Sequence, residues 1–337
     1  MKYDVAVIGA GPAGSFAAKR LALMGYRTVL IDPCDNKKVC AGILTAQYVR
    51  EYEVNDDYIE RKLKGIRISF KDVSAKINYR QAVEYSIDRQ AYDNFNLNKA
   101  LAANSKLKQD AVVSVLETDQ CVEIKTKYDI LFSDYAILAS GVSDLASQFG
   151  GPKEYAYCVQ QRIDITPGDY FEMDLKKDGY SWIVPKKDHI LTGTSSLIDY
   201  PDIPGDKALI PVSGPVQRTF FNRLLLAGDA GGFVSPFEGE GIYYAMRSGE
   251  IAAEVLAGVM SGKNGMEDYE KRWKKEFDFS ALDMVSDLLA DEYVLEMFVQ
   301  EIRDNEKFSI FVENLLTKES KDLSPWDIFY LLKTIVD

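Results

Sequence analysis

The chain begins with a strand–turn–helix–strand pattern built around three glycines. The stretch YDVAVIGAGPAGSFAAKRLALMGYRTVLID starts at Tyr3, holds Gly9, Gly11 and Gly14 in a G-x-G-x-x-G spacing, and ends at Asp32. The apolar run before the glycines is typical of a strand buried on both faces, and the apolar residues after them recur at helical spacing. In this setting the glycines predict a βαβ unit that binds a dinucleotide.

Each residue of this first fingerprint has a separate physical role. Gly9 permits the tight turn, Gly11 lets the backbone approach a pyrophosphate, and Gly14 lets the helix pack against the strand. The helix N-terminus supplies N–H groups and a positive potential for the phosphates. Asp32 is placed to accept hydrogen bonds from ribose hydroxyls. These residues by themselves fit both NAD and FAD.

A second glycine-rich segment lies about 200 residues further along the chain. The stretch RLLLAGDAGGFVSPFEGEGIYYAMRSGEIAAEVL begins at Arg223 and predicts a strand, a loop and a helix over about 242–260. Asp229 follows the strand and is predicted to bond the ribityl or ribose part of an extended dinucleotide. The helix begins near Gly241, and its N-terminus is predicted to face an anion.

Composition excludes several functional classes. The 337 residues carry a net charge of −12, which argues against a nucleic-acid partner. Four cysteines and one histidine match no zinc site, disulfide framework or histidine-based hydrolase, so we predict no metal and expect a cofactor to carry the chemistry. No window approaches the roughly 18 apolar residues of a membrane span and the N-terminus does not read as a signal peptide, so we expect a cytoplasmic protein, at most peripheral to a membrane.

The two fingerprints together resemble the FAD-binding half of flavoproteins with the p-hydroxybenzoate-hydroxylase fold. Within that fold, the stretch GDAGGFVSPFEGEGIYYAMRSG resembles the geranylgeranyl reductase family most closely. KKVCAG is similar to the family's Lys-x-Cys-Gly segment near the isoalloxazine ring, and SIDRQAYDNFNLNKA is similar to its Arg-x-x-Phe-Asp-x-x-Leu segment. GYSWIVPK is similar to its Tyr-x-Trp-x-Phe-Pro-Lys signature. The resemblance covers roughly residues 1–260.

The resemblance and the pattern along the chain predict an α/β fold. We expect a Rossmann-like FAD-binding domain, an inserted antiparallel-sheet substrate domain and a C-terminal helical cap. The predicted boundaries are 1–64, 85–150 and 208–260 for the FAD-binding domain, 65–84 and 151–207 for the substrate domain, and 261–337 for the helical region. Alternating residues in GIRISFKDVSAKINY predict a β-hairpin at the start of the substrate domain.

The resemblance also implies which residues contact the cofactor and substrate. The predicted cofactor-binding residues are Gly9, Gly11, Ala13, Gly14, Asp32, Cys40, Ala41, Gly42, Arg89, Val113, Gly228, Asp229, Gly239, Gly241 and Ile242. The predicted catalytic residues are Cys40, Tyr180 and Trp182. The alternation of Tyr180 and Trp182 with Ser181 places both rings on one sheet face, where they line an apolar substrate cavity or pack in a core.

Several positions keep a second interpretation. Cys40 is either a small buried side chain or a flavin-facing thiol that positions the ring or donates a proton. Arg89 contacts the cofactor or lies on a helix surface. Lys186 belongs to the signature or simply follows it in a turn, and His189, among charged residues, is expected to be exposed. The chain departs from the family pattern at Val184 in place of Phe, at Gly193-Thr194-Ser195, and at Ser140 in place of an acid.

The implied activity is reduction of carbon–carbon double bonds in an isoprenoid, a geranylgeranyl or polyprenyl lipid or pyrophosphate. In this interpretation hydride passes from N5 of reduced flavin to the alkene, and NADPH or ferredoxin supplies the electrons. One alternative is an FAD-dependent monooxygenase or halogenase on the same fold, because halogenases carry a Trp-x-Trp-x-Ile-Pro segment resembling residues 180–185. Another is an FAD-binding electron-transfer protein.

Overall fold

Groups of strands separated by single helices occupy the first two thirds of the chain, and helices follow them. The computed structural model describes residues 2–34, 38–81, 83–236, 239–317, 330 and 333–334. The strands are β1 (Lys2–Ile8), β2 (Thr28–Ile31), β3 (Ile43–Leu44), β4 (Ile59–Lys62), β5 (Gly65–Phe70), β6 (Val73–Asn78), β7 (Tyr85–Ile87), β8 (Lys106–Lys108), β9 (Val112–Glu117), β10 (Val122–Thr126), β11 (Ile130–Leu138), β12 (Tyr155–Ile163), β13 (Tyr170–Lys176), β14 (Gly179–Pro185), β15 (Ile190–Ser196), β16 (Asp206–Pro211) and β17 (Leu224–Leu226). The helices are α1 (Pro12–Leu23), α2 (Ala46–Glu51), α3 (Arg89–Ala102), α4 (Asp144–Gln148), α5 (Ile242–Met260), α6 (Asp268–Glu276), α7 (Phe279–Leu288), α8 (Glu292–Asp304) and α9 (Glu306–Leu316), with a 3-10 helix at Gly228–Gly231.

The chain divides into two compact units, each assembled from separate segments. The first unit comprises Met1–Lys37, Tyr92–Tyr155 and Ile210–Phe279, and the second comprises Lys38–Ala91, Ala156–Leu209 and Ser280–Asp337. The domain boundaries proposed from the sequence stay predictions.

A mixed sheet forms the centre of the first unit. Its strand order is β8-β2-β1-β11-β10-β9, and β17 pairs with β11 beside β10. The pairs among β8, β2, β1, β11 and β17 are parallel, whereas β9 and β10 are antiparallel neighbours. Apolar side chains of β1, β2, β11 and β17 form a buried core under this sheet, which explains their continuous apolar runs.

The second unit is built on a mainly antiparallel sheet. Its strand order is β16-β12-β15-β14-β13-β5-β6, and the predicted hairpin is present as β5 and β6. The pair of β13 and β5 is parallel. A smaller sheet in the order β3-β7-β4 carries the segment that follows Cys40. The predicted fold class, an α/β protein with an antiparallel sheet and a helical C-terminal part, is confirmed.

The C-terminal helices α8 and α9 pack on the β5–β6 hairpin. Leu295, Phe298, Val299 and Ile302 lie on one face of α8 and share a buried core with Ile66, Ile68, Phe70, Ala75 and Ile77 of the hairpin. The three-four spacing of these α8 residues is the amphipathic period that the sequence shows. Across the described residues, the helices are all too short or too polar to cross a membrane.

This packing makes a prediction about stability. Phe298 is 6% exposed in this core, whereas Tyr293 on the same helix is 67% exposed. Phe298→Ala should lower the free energy of unfolding by about 3–5 kcal/mol, because it removes a buried ring and leaves a cavity. Tyr293→Ala is the matched control and should change it by less than about 0.5 kcal/mol. Urea unfolding followed by circular dichroism measures both, and equal effects would contradict this packing.

Candidate functional site

The three glycines of the first fingerprint face different surroundings. Gly9 has φ +103°, and a Cβ there would lie 2.3 Å from the carbonyl oxygen of Ala139. A Cβ on Gly14 would lie 1.8 Å from the carbonyl oxygen of Gly9, so α1 approaches the turn too closely for any side chain. A Cβ on Gly11 would meet no protein atom within 4 Å. Gly11 therefore borders open space at the start of α1, where the fingerprint predicts a pyrophosphate.

Asp32 is held beside this turn by backbone amides. Its Oδ2 accepts a hydrogen bond from the Ala10 amide at 2.7 Å, and its Oδ1 accepts one from the Cys34 amide at 2.7 Å. A carboxylate oxygen has further lone pairs, so both oxygens can also accept bonds from ribose hydroxyls. Val113, a predicted cofactor contact on β9, is 57% exposed in the same unit.

The second fingerprint packs directly against the first. A Cβ on Gly228 would lie 3.0 Å from Ala13 Cβ and 3.3 Å from Ala245 Cβ, so the first turns of α1 and α5 meet over Gly228. A Cβ on Gly249 would lie 2.2 Å from the carbonyl oxygen of Ala13. Ala13 is thus buried between two glycines, and this packing fixes the start of α1 relative to α5.

Asp229 lies beside the start of α5. Its Oδ1 is 3.4 Å from the position that a Cβ on Gly241 would occupy. Gly241 is the N-cap residue of α5, and no side chain caps the helix by a hydrogen bond from that position. Ile242 is buried at the first position of α5, and the Gly239 amide donates to the Ser235 carbonyl. This helix end can therefore face the anion that the fingerprint predicts.

A cluster of aromatic rings supports the loop between β17 and α5, and no sequence motif indicated its role. Phe233 lies in that loop, and its ring centroid is 5.5 Å from Trp273 and 6.1 Å from both Tyr269 and Phe277. The buried Tyr269 hydroxyl donates to the Leu226 carbonyl at 2.8 Å. The helical spacing of residues 269, 273 and 277 is the signal that could have identified this packing.

In the second unit, a short segment around Cys40 is tied to the antiparallel sheet. The Gly42 amide donates to Cys40 Sγ at 3.3 Å, and the Cys40 carbonyl accepts a bond from Gln160 Nε2 at 3.2 Å. Gln160 Oε1 in turn accepts a bond from Trp182 Nε1 at 3.3 Å. The buried amide of Gln160 therefore connects two predicted catalytic positions, although no motif indicated it.

Tyr180 and Trp182 lie side by side on β14, on one face as their alternation predicts. Their ring centroids are 5.6 Å apart. A Cβ on Gly193 would lie 2.2 Å from Trp182 Cζ2, so a glycine is required beneath the indole. The Ser195 hydroxyl accepts a bond from the Tyr180 amide at 3.0 Å, which gives this departure from the family's Gly-x-Gly a structural role.

Two polar residues that follow β14 are buried. Lys186, which either belongs to the signature or follows it in a turn, has a side chain that is only 1% exposed, and its ammonium is 2.8 Å from the Ile87 carbonyl oxygen. The expectation that His189 is exposed is wrong, since the residue is 8% exposed, with Nδ1 2.7 Å from Asp188 Oδ1. The charged neighbours of His189 in sequence suggested an exposed side chain, but the residue is buried between the end of β14 and the start of β15.

The remaining predicted residues lie in the second unit. Gly42 has φ +68°, and a Cβ there would be 2.7 Å from the Ile87 carbonyl oxygen and 3.0 Å from Lys186 Nζ. The small size of Gly42 is therefore required by protein atoms alone. Ala41 is half-buried beside it, and Arg89 is half-buried at the start of α3. Asp88 caps that helix by accepting from the Gln90 and Ala91 amides at 2.8 and 2.9 Å.

Comparisons with known proteins agree with this geometry. The family model described as pyridine nucleotide-disulphide oxidoreductase matches residues 3–166. The chain is 29% identical to the chloroplastic geranylgeranyl diphosphate reductase of Oryza sativa subsp. japonica, over 88% of this chain and 80% of that protein. It is 27% identical to the digeranylgeranylglycerophospholipid reductase of Methanococcus vannielii, over 90% of this chain and 88% of that protein.

Solved structures share the fold. A geranylgeranyl bacteriochlorophyll reductase-like protein from Thermoplasma acidophilum has a TM-score of 0.78 at 21% identity, over 98% of this chain and 96% of its own. A flavin-dependent brominase has a TM-score of 0.73 at 17% identity. The open turn at Gly11, the amide-held Asp32 and these likenesses together define an FAD-dependent oxidoreductase. The relatives named here as geranylgeranyl reductases are similar to this chain over most of its length.

The glycines of the first fingerprint give a paired prediction. Gly11→Ala should change the free energy of unfolding by less than about 1 kcal/mol, because its methyl group enters open space. It should weaken FAD binding by about 100-fold, since that space is where the pyrophosphate approaches. Gly14→Ala should instead destabilise the protein by about 3 kcal/mol or more through its clash with Gly9. Quenching of FAD fluorescence by the apoprotein measures the affinity, and unaltered binding by Gly11→Ala would contradict the site.

The cysteines give a prediction about reactivity. Cys34 is exposed, Cys40 and Cys121 are partly exposed, and Cys158 is buried. Burial raises the pKa of the Cys158 thiol to about 12, so at pH 8 its thiolate fraction is only about 10⁻⁴. Iodoacetamide at pH 8 should therefore label Cys34 first and leave Cys158 unlabelled until urea unfolds the protein. Peptide mass spectrometry measures this order, and rapid native labelling of Cys158 would contradict its burial.

Proposed function

We propose that this protein reduces carbon–carbon double bonds of an isoprenoid chain, geranylgeranyl or longer, attached to a lipid headgroup or a pyrophosphate. The single observation that carries the proposal is the link from the Tyr180–Trp182 pair through Gln160 to Cys40. It joins an apolar aromatic surface to the segment that resembles the family's flavin-proximal loop. The names of the relatives in rice and Methanococcus vannielii support the substrate class.

Within this proposal the residues divide into two groups. The proposed cofactor contacts are the residues of both fingerprints, with Val113, Arg89 and the Cys40–Gly42 segment. FAD supplies hydride chemistry at its isoalloxazine ring when it is bound and reduced. Tyr180 and Trp182 provide an apolar wall that orients a polyprenyl chain and excludes water. The Cys40 thiol and the Tyr180 hydroxyl are the proton donors that we propose to test.

The remaining parts of the proposal concern partners. We propose NADPH or ferredoxin as the source of electrons and, at most, peripheral contact with a membrane that holds the lipid. A halogenase or monooxygenase is the second candidate, because a brominase shares the fold. Tyr180 stands where the halogenase segment has its first Trp, which favours the reductase.

The purified protein tests the proposal directly. We expect a yellow protein whose 450 nm absorbance, bleached by dithionite under argon, returns when geranylgeranyl diphosphate or a geranylgeranylated phospholipid is added. A protein that cannot be loaded with FAD would contradict the proposed function. Recovery of absorbance that requires oxygen, with oxygenated or halogenated product, would favour the second candidate.

Cys40→Ala tests the role of the thiol within this reaction. The variant should still bind FAD, because the Gly42 amide, which donates to Cys40 Sγ, belongs to the same segment. If the thiol donates the proton, the rate of alkene reduction should fall about 100-fold, as for loss of a general acid. Cys121→Ala, a partly exposed cysteine of the first unit, is the matched control and should keep the full rate. A full rate in Cys40→Ala would exclude the thiol as donor.

A further inference from the structure

The side chain of Lys186 is almost completely enclosed by backbone carbonyls and one carboxylate. Its ammonium is 2.8 Å from the Ile87 carbonyl oxygen, 3.4 Å from the Gly42 carbonyl oxygen and 3.4 Å from Glu60 Oε2. An ammonium has three N–H bonds, and each of them has an acceptor here. This arrangement is a specific polar site, because a packing role would be met by an apolar side chain.

Burying this charge has a cost that the surroundings only partly offset. Removal of an ammonium from water costs several kcal/mol unless partners replace the water. Burial lowers the pKa of Lys186, and the nearby carboxylate of Glu60 acts in the opposite direction. Glu60 is itself mostly buried. A neutral side chain of similar length would avoid this cost, so the retained charge calls for a role.

The contacts of Lys186 converge on the Cys40 segment. The Gly42 carbonyl accepts from both the Lys186 ammonium and the Ile87 amide, the latter at 2.9 Å. The Gly42 amide donates to Cys40 Sγ, so one glycine joins the buried lysine to the thiol. The absence of a side chain at Gly42 is what admits the ammonium, since a Cβ there would lie 3.0 Å from Nζ.

The backbone of Lys186 is fixed as firmly as its side chain. Its carbonyl accepts a bond from Arg61 Nε at 2.9 Å, and its amide donates to the His189 carbonyl at 2.9 Å. The preceding carbonyl, of Pro185, accepts a bond from the buried Ser86 hydroxyl at 2.6 Å. The ammonium therefore projects from a rigid base at the end of β14 toward the Cys40 segment.

We propose that Lys186 is a positioning residue that fixes the Cys40–Gly42 segment through the Gly42 carbonyl, with Glu60 as its buried counter-ion. The geometric part of this proposal stands on contacts within the second unit. Its importance for catalysis rests on the proposed function, in which that segment contacts the flavin. Lys186 acts through Gly42 and does not itself need to touch substrate.

Alkylation of Cys40 tests the proposal without any substrate. Lys186→Met removes the charge and keeps a similar length, whereas Lys187→Met changes the exposed neighbouring lysine. Iodoacetamide labelling at pH 8, followed by peptide mass spectrometry, gives the rate at Cys40 relative to Cys121 of the first unit. We expect this ratio to rise at least about tenfold in Lys186→Met and to stay unchanged in Lys187→Met. An unchanged ratio in folded Lys186→Met would overturn the proposal.

A second variant tests the proposed role of Lys186 if Lys186→Met does not fold. Glu60→Gln keeps a hydrogen-bond acceptor and removes the counter-charge, and it should raise the same ratio by about threefold. Without folded Lys186→Met, an unchanged ratio in Glu60→Gln would reject the proposal. In FAD-loaded protein, the flavin absorption band should shift in Lys186→Met and not in Lys187→Met. A wild type that fails to reduce any isoprenoid would reject the proposed function, while the alkylation ratio would still judge Lys186.

Discussion

The backbones of β1, α1 and α5 approach one another so closely that no side chain fits between them. The Gly9 carbonyl oxygen lies 1.8 Å from where a Cβ on Gly14 would be, and the Ala13 carbonyl oxygen lies 2.2 Å from where a Cβ on Gly249 would be. Each contact fixes the start of α1, against the turn on one side and against α5 on the other. Because α5 and Asp229 belong to the second fingerprint, segments more than 200 residues apart act as one rigid frame. The open space at Gly11 then has defined walls, which is what a pyrophosphate site requires.

In the second unit, buried polar side chains hold a loop segment in one position. Its Cys40 segment has little regular structure of its own, and it is held by side chains that reach it from the antiparallel sheet. Gln160 bonds the Cys40 carbonyl and Lys186 bonds the Gly42 carbonyl, so two buried polar groups define the position of three residues. A fully satisfied polar network of this kind fixes one conformation at the expense of stability.

Local patterns predicted most of the fold, and long-range contacts explain what they missed. The glycine spacing, the apolar strand runs, the β5–β6 hairpin and the helical C-terminal part are all encoded within short windows, and they are present as predicted. Gln160 and Lys186 meet the Cys40 segment across 120 and 144 residues, so no window contains either contact. His189 was misread for the same reason, because its neighbours in sequence are charged while its ring is buried by the sheet. The proposed site residues of the fingerprints remain predictions until FAD binding is measured.

The central proposal is that this flavoprotein adds hydrogen across an isoprenoid double bond. The most direct test is the mass of the lipid after one turnover of the dithionite-reduced protein under argon in D2O. We expect a saturated bond that carries one added deuterium at each of its carbons, since both the flavin hydride and the donated proton exchange with solvent. Lipid of unchanged mass, or lipid that has gained oxygen or halogen when air is admitted, would contradict it.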